Sequence, residues 1–131
     1  VGIPVSLRTP LGQVLGRGAA RSGVHHWWSQ RLSAVALVPL TVWLLCSLLR
    51  LPLAEHAAVA AWMASGWNPI WLCLTLLALA WHSRLGMQVV IEDYVHGKGA
   101  KTGLLLLLNF AHVVVAAVGI YAVLRLAVRS V

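Results

Sequence analysis

The sequence predicts an all-α integral membrane protein: three transmembrane helices, the N-terminus inside, and a short interfacial helix between spans one and two. Three observations predict it. Of 131 residues, 60% are apolar and 10% charged, against about 45–50% and about 25% in soluble domains. A chain this short buries only about two-thirds of its surface on folding, so it cannot hide that much apolar surface from water. The apolar residues also gather in three runs that approach the roughly 17–25 residues needed to cross a bilayer, and the basic residues fall mostly in the flanks. The mean hydropathy of +0.85 agrees. A disordered tail is excluded, a soluble enzyme is disfavoured, and a single membrane-anchor domain, 1–131, accounts for the whole length.

Residues 1–31 read as an N-terminal arm. Its first 24 residues carry five glycines and two prolines and no regular pattern. The arm lacks a leading apolar segment and a cleavage site, so no signal peptide is expected. Span one, 32–49, is uncharged and interrupted by Pro39. Proline is tolerated in a membrane helix and is expected to kink it. Residues 51–69 are Ala-rich with Glu55, His56, Trp62 and Trp67, a composition that suits a short helix at headgroup level. Span two, 70–90, contains His82 and Arg84. Span three, 104–124, opens on a run of leucines. Cys46 and Cys73 lie inside apolar runs and read as small core residues, with no disulfide framework.

Orientation follows from the basic flanks. Arg8, Arg17, Arg21, Arg31, Lys98 and Lys101 share one side; Arg50, Arg125 and Arg129 share the other. Six against three puts the N-terminus on the cytoplasmic side. The net charge of +7 is spread thinly between apolar runs. That pattern suits topology signals and anionic lipid rather than a phosphate-tracking groove, so membrane lipid and no nucleic acid is the expected partner.

Ionisable groups inside a span are costly and so draw attention. His82 lies roughly 12 Å above the inner end of span two at 1.5 Å per residue. A neutral imidazole there either ligates iron or hydrogen-bonds a neighbouring helix. Gly86 falls one turn below His82 on nearly the same face, where a missing side chain admits a flat ligand or another helix. Asp93 follows on that face about 16 Å lower, with Tyr94 beside it. An acid next to a phenol suits proton supply to a carbonyl at the interface; the alternative is an ordinary polar end to the span. Arg84 reads as snorkelling to the inner headgroups, with a ligand contact as the alternative. Arg31 is either a positive-inside anchor or the partner of a carboxylate such as a haem propionate. His112 in span three is a packing histidine or, at a depth near that of His82, a second ligand. Neither Arg31 nor Arg84 has an evident polar partner in the sequence, so a partner chain and a cofactor are expected to satisfy them.

The block His82, Gly86, Asp93-Tyr94, in the form Leu-Gly-Met-Gln-Val-Val-Ile-Glu-Asp-Tyr, resembles the D-type hydrophobic membrane anchor of succinate dehydrogenase (respiratory complex II) in its alphaproteobacterial and mitochondrial-type branch. Gly23-Val24-His25 running on to Gln30-Arg31 is a second match. The resemblance covers roughly residues 21–124. The Ser-Pro-His stretch and His-Arg-x-Thr-Gly start of the C-type anchor are absent, which favours the D-type. The resemblance implies a complex with a flavoprotein bearing FAD, an iron–sulfur subunit bearing the clusters, and a C-type anchor, in a bacterial cytoplasmic membrane or, as the alternative, the mitochondrial inner membrane. It implies His82 as an axial ligand of haem b shared with the C-type anchor, Arg31 and His25 at the haem propionates, and Tyr94 with Asp93 at the ubiquinone site. His26 and Arg84 depart from the family pattern: some members place an acid at the first position and an apolar or aromatic residue at the second. A fumarate reductase anchor, another quinone-linked dehydrogenase, and a haem-free structural anchor remain open alternatives.

Overall fold

The computed structural model describes Thr9, Leu11 and residues 22–129, and every helix in it follows from the apolar pattern. The arm residues Arg8, Arg17 and Arg21 lie outside the described residues. Among the described residues from 22 onward, four helices follow in order: α1 (Ser22–Arg50), α2 (His56–Ala64), α3 (Asn68–Tyr94) and α4 (Lys98–Arg129). Among the described residues no strand occurs. Helices α1, α3 and α4 are long and apolar enough to cross a membrane. In lipid every backbone group must be paired within its own segment, so apolar runs of this length resolve as helices.

All three long helices overrun the apolar runs. Residues 22–31, expected in the arm, continue α1. The run from His25 to Arg31 contains no helix breaker, so backbone pairing propagates past the hydrocarbon boundary. Helix α1 also runs unbroken through Pro39. Helix α3 opens with Pro69 in its first turn, where the missing N–H costs nothing. Before it, Gly66 takes φ +57, a left-handed conformation that favours glycine. The Asn68 amide closes the turn by donating to the Trp62 carbonyl at 2.8 Å and to Ser65 Oγ at 3.1 Å.

The helices run antiparallel in sequence. Contacts pair Ser33 with His82 and Trp43 with Trp71 across α1 and α3, and Arg84 with Asn109 and Ser83 with His112 across α3 and α4. Helix α3 packs on both α1 and α4, while among the described residues α1 and α4 do not pack on each other. The arrangement is therefore an open layer with α3 in the middle, not a closed bundle. Its core is correspondingly thin: among the described residues Leu40, Leu85, Leu108 and Val123 are the buried apolar side chains, with Ser33 and Thr75 buried beside them. Cys46 is exposed and Cys73 half-buried, both as free thiols, so Cys46 is not a core residue within this chain.

The two ends of the layer differ. At one end α2 lies across α3 and α4, and Trp43 sits against Trp62 and Trp71 at ring separations of 5.9 and 5.8 Å. At the other, the hairpin end, Val95, His96 and Gly97 join α3 to α4. There Lys101 Nζ donates to the Glu92 carbonyl at 2.7 Å, placing a cation at the negative pole of α3.

Candidate functional site

Helix α3 distributes its polar residues between its two neighbours. His82 and Gly86 face α1, whereas Ser83 and Arg84 face α4. A Cβ built on Gly86 would meet only Gln30 Nε2, at 3.6 Å, so the gap that glycine leaves is bordered by a side chain of α1. His82 Nδ1 lies 3.0 Å from Ser33 Oγ, and Ser33 Oγ donates to the Gln30 carbonyl at 2.9 Å. Among the described residues no hydrogen bond reaches His82 Nε2. Beside this contact lies a largely apolar groove of about 740 Å³ between α1 and α3, where Ser29, Ser33 and Ala36 alternate with leucines of both helices and Trp81.

Two further polar groups share this seam. His26 Nε2 and Gln30 Oε1 are buried and lack a partner among the described residues. With Ser33 they fall at helical spacing on the face of α1 turned towards α3. A buried polar atom without a partner costs about 1–3 kcal/mol, so the α1–α3 seam at this level is incomplete by itself. His25, by contrast, is exposed, as is Arg31. The Arg31 guanidinium lies over the Trp27 ring at 4.7 Å, with its N–H donors open to a carboxylate from outside the chain.

On the other face His112 is fully engaged. Its Nδ1 lies 2.9 Å from the Leu108 carbonyl and its Nε2 3.0 Å from Ser83 Oγ. A carbonyl only accepts, so Nδ1 carries the proton and Nε2 is left as an acceptor for the single Ser83 hydroxyl proton, for which the Ala80 carbonyl at 3.3 Å is the more distant competitor. Of His82 and His112, only His82 keeps a ring nitrogen free, and His112 is the packing residue. Among the described residues no group of three or more His, Cys, Asp or Glu is placed to hold a metal ion; His82 is a single donor.

Arg84 departs from the snorkelling expectation. Its Nε donates to Asn109 Oδ1, and its guanidinium lies 5.2 Å from the Trp81 ring, one turn earlier in α3. Helical side chains lean towards the helix N-terminus, which in α3 leads away from the hairpin end. The head group therefore enters a groove of about 360 Å³ bordered by Trp81, Asn109 and His112. Arg84 has a polar partner within the chain, contrary to the expectation that it would find none.

Asp93 and Tyr94 occupy the last turn of α3 and both are exposed, Tyr94 at 79%. No hydrogen bond joins them. One turn away Gln88 donates to Glu92 Oε1 at 2.7 Å. The phenol and the acid are thus presented outward at the hairpin end, on the same helix as His82 and about 16–18 Å along it. The sequence pattern locates His82, Gly86, Asp93 and Tyr94 but does not identify Ser33, Gln30 or Asn109. The detectable signal for Asn109 is a lone amide inside an apolar run, since such groups in lipid seek an interhelical partner.

Comparison with known proteins places this geometry in a family. Residues 6–122 match the family model described as the succinate dehydrogenase/fumarate reductase transmembrane subunit. The chain is 35% identical over 85 residues to the succinate dehydrogenase membrane anchor subunit of Reclinomonas americana, covering 62% of this chain and 70% of the relative. It is 35% identical over 88 residues to the hydrophobic membrane anchor subunit of Rickettsia bellii, covering 67% and 70%. The corresponding Paracoccus denitrificans subunit is 26% identical over 123 residues, covering 94% and 95%. A three-span helical layer whose match extends over nearly its whole length belongs to the succinate dehydrogenase/fumarate reductase transmembrane-subunit family, among whose members the similar relatives are membrane anchors.

Proposed function

We propose that this chain is the D-type membrane anchor of a succinate:ubiquinone oxidoreductase, co-binding haem b and lining the site where ubiquinone is reduced. One observation carries the reading. His82, near the middle of an apolar helix, has Nδ1 paired to Ser33 and Nε2 unpaired, and the same helix ends in exposed Asp93 and Tyr94. The residues fit the group: a single imidazole nitrogen, a largely apolar groove beside it that suits a flat macrocycle, and orphaned polar atoms on His26 and Gln30 at the same seam.

Haem b, when bound, supplies a one-electron redox centre. His82 Nε2 would hold the iron from this chain, together with a C-type anchor. The exposed Arg31 guanidinium, with His25 near it in the same helix, would donate to the propionate carboxylates. Succinate is oxidised on the flavoprotein, and electrons pass through the iron–sulfur subunit to the quinone. Ubiquinone takes up two electrons and two protons, forming one O–H bond at each carbonyl oxygen. The Tyr94 hydroxyl donates a hydrogen bond to one carbonyl and polarises it. Asp93, which makes no bond to Tyr94, serves the site through water, passing protons in from the inner side. The complex would lie in a bacterial cytoplasmic membrane with the hairpin end inside.

The test uses the assembled complex purified with His82→Tyr. The reduced haem b spectrum is expected to shift or vanish while succinate oxidation with an artificial dye persists. An unchanged low-spin spectrum would overturn the ligand assignment. Failure of a flavoprotein and an iron–sulfur protein to copurify would overturn the complex itself.

A further inference from the structure

We infer that Ser33 is a positioning residue for the haem ligand: by accepting a hydrogen bond from Nδ1 it holds His82 in the tautomer whose Nε2 is bare, and it fixes the ring's orientation from the neighbouring helix. The inference rests on the reading of His82 as the axial ligand.

The protons at this contact can be counted. Ser33 Oγ stands 2.9 Å from the Gln30 carbonyl oxygen and 3.0 Å from His82 Nδ1. A serine hydroxyl has one proton and two lone pairs, and a carbonyl has no proton. If the hydroxyl donates to Gln30, its lone pairs face His82 and Nδ1 must carry the imidazole proton. Both donors are then paired, and the only group left over is the Nε2 lone pair. In the reverse arrangement the hydroxyl donates to Nδ1, and the proton sits on Nε2, where the described residues offer no acceptor. In the apolar span an N–H that meets no acceptor is costly, whereas an unused lone pair costs less. The first arrangement therefore prevails, and it is the one in which Nε2 can bind iron.

Burial makes the contact durable. Ser33 is 8% exposed, so water does not readily replace it. Because it belongs to α1 while His82 belongs to α3, docking of the two helices sets the ring. A metal-bound imidazole whose other N–H is hydrogen-bonded is a stronger electron donor, and losing such a partner typically costs 10–100-fold in metal affinity. By the same count His112 has no such role, because both its nitrogens are occupied.

The experiment compares purified complexes carrying Ser33→Ala, Ser33→Thr and His82→Ala. Ser33→Ala should keep subunit composition and dye-linked succinate oxidation, bind haem about 10–100-fold more weakly in titrations of the haem-depleted complex, and raise the haem midpoint potential, because a poorer donor stabilises ferric iron less. Ser33→Thr, which retains the hydroxyl, should keep both values parental. Parental affinity and potential in Ser33→Ala would overturn the inference. Should that variant fail to assemble, Ser33→Cys decides: its weak acceptor must leave the potential raised, and a parental potential overturns the inference. Retention of haem in His82→Ala would instead remove the ligand assignment on which the inference stands.

Discussion

The two ends of this helical layer solve the same problem differently. At the α2 end the polar and aromatic groups find partners inside the chain: Asn68 on Trp62 and Ser65, Thr75 on the Trp71 carbonyl at 2.7 Å, and Trp43 of α1 against both Trp62 of α2 and Trp71 of α3. Towards the hairpin end the α1–α3 seam keeps two buried orphans, His26 Nε2 and Gln30 Oε1, besides the bare Nε2 of His82 and exposed Asp93 and Tyr94. Unpaired polar groups in lipid are expensive. Their concentration at one end fits a place where partner subunits and a cofactor complete the structure, and at the self-sufficient end the chain holds itself together.

Three substitutions sharpen or break that contrast. The largest effect is expected for Asn109→Leu, which strands the Arg84 Nε donor in an apolar groove. We expect about 1–3 kcal/mol of lost stability, read as a lower thermal midpoint of the detergent-solubilised complex, and relief when Arg84→Met is added. If the double variant is no better than the single, the two residues are not coupled. Next, Trp43→Ala removes both ring contacts at the α2 end. At about 0.5–1.5 kcal/mol for each aromatic pair, it should destabilise the complex while leaving haem content and quinone kinetics as they were. A change in the haem spectrum would show that the ends are not separable. Smallest in energy is Tyr94→Phe, the loss of one hydrogen bond at about 0.5–1.5 kcal/mol. Succinate–quinone turnover should fall severalfold with haem and dye reduction retained, and turnover at the parental rate would make Tyr94 a mere helix terminus.

Much of the fold was legible because lipid leaves few choices. Apolar runs must be helices, so all three spans and the short intervening helix stand where the hydropathy pattern puts them. The ends were less legible. Hydropathy reports the hydrocarbon boundary, whereas α1 begins at Ser22 and α3 ends at Tyr94 because backbone pairing continues into polar sequence until something stops it. At the site, position along one helix was readable and position between helices was not. His82, Gly86, Asp93 and Tyr94 share a helix and could be placed by counting. Ser33 is separated from His82 by 49 positions, and nothing in a single sequence links them. Arg84 was misdirected for the same reason: its position along α3 was known, but the Asn109 partner that holds its head group against α4 lies on another helix.

The lack of packing between α1 and α4 among the described residues has a consequence for how the chain tolerates change. Away from the α2 end, where Trp62 stacks on Trp43 of α1 and α2 also packs on α4, influence passing from one flank to the other runs through α3, a single rod whose two faces carry separate sets of partners. A side chain added at Gly86 would meet Gln30 on one face, and one added at Gly119 on α4 would come within 3.2 Å of Leu76 on the other, well towards the start of α3. Energies at sites this far apart, sharing no partner, combine by simple addition. The chain is thus two half-interfaces that can be altered one at a time. The α3–α4 seam can drift in sequence under packing constraints alone, while the α1–α3 seam answers to whatever binds there.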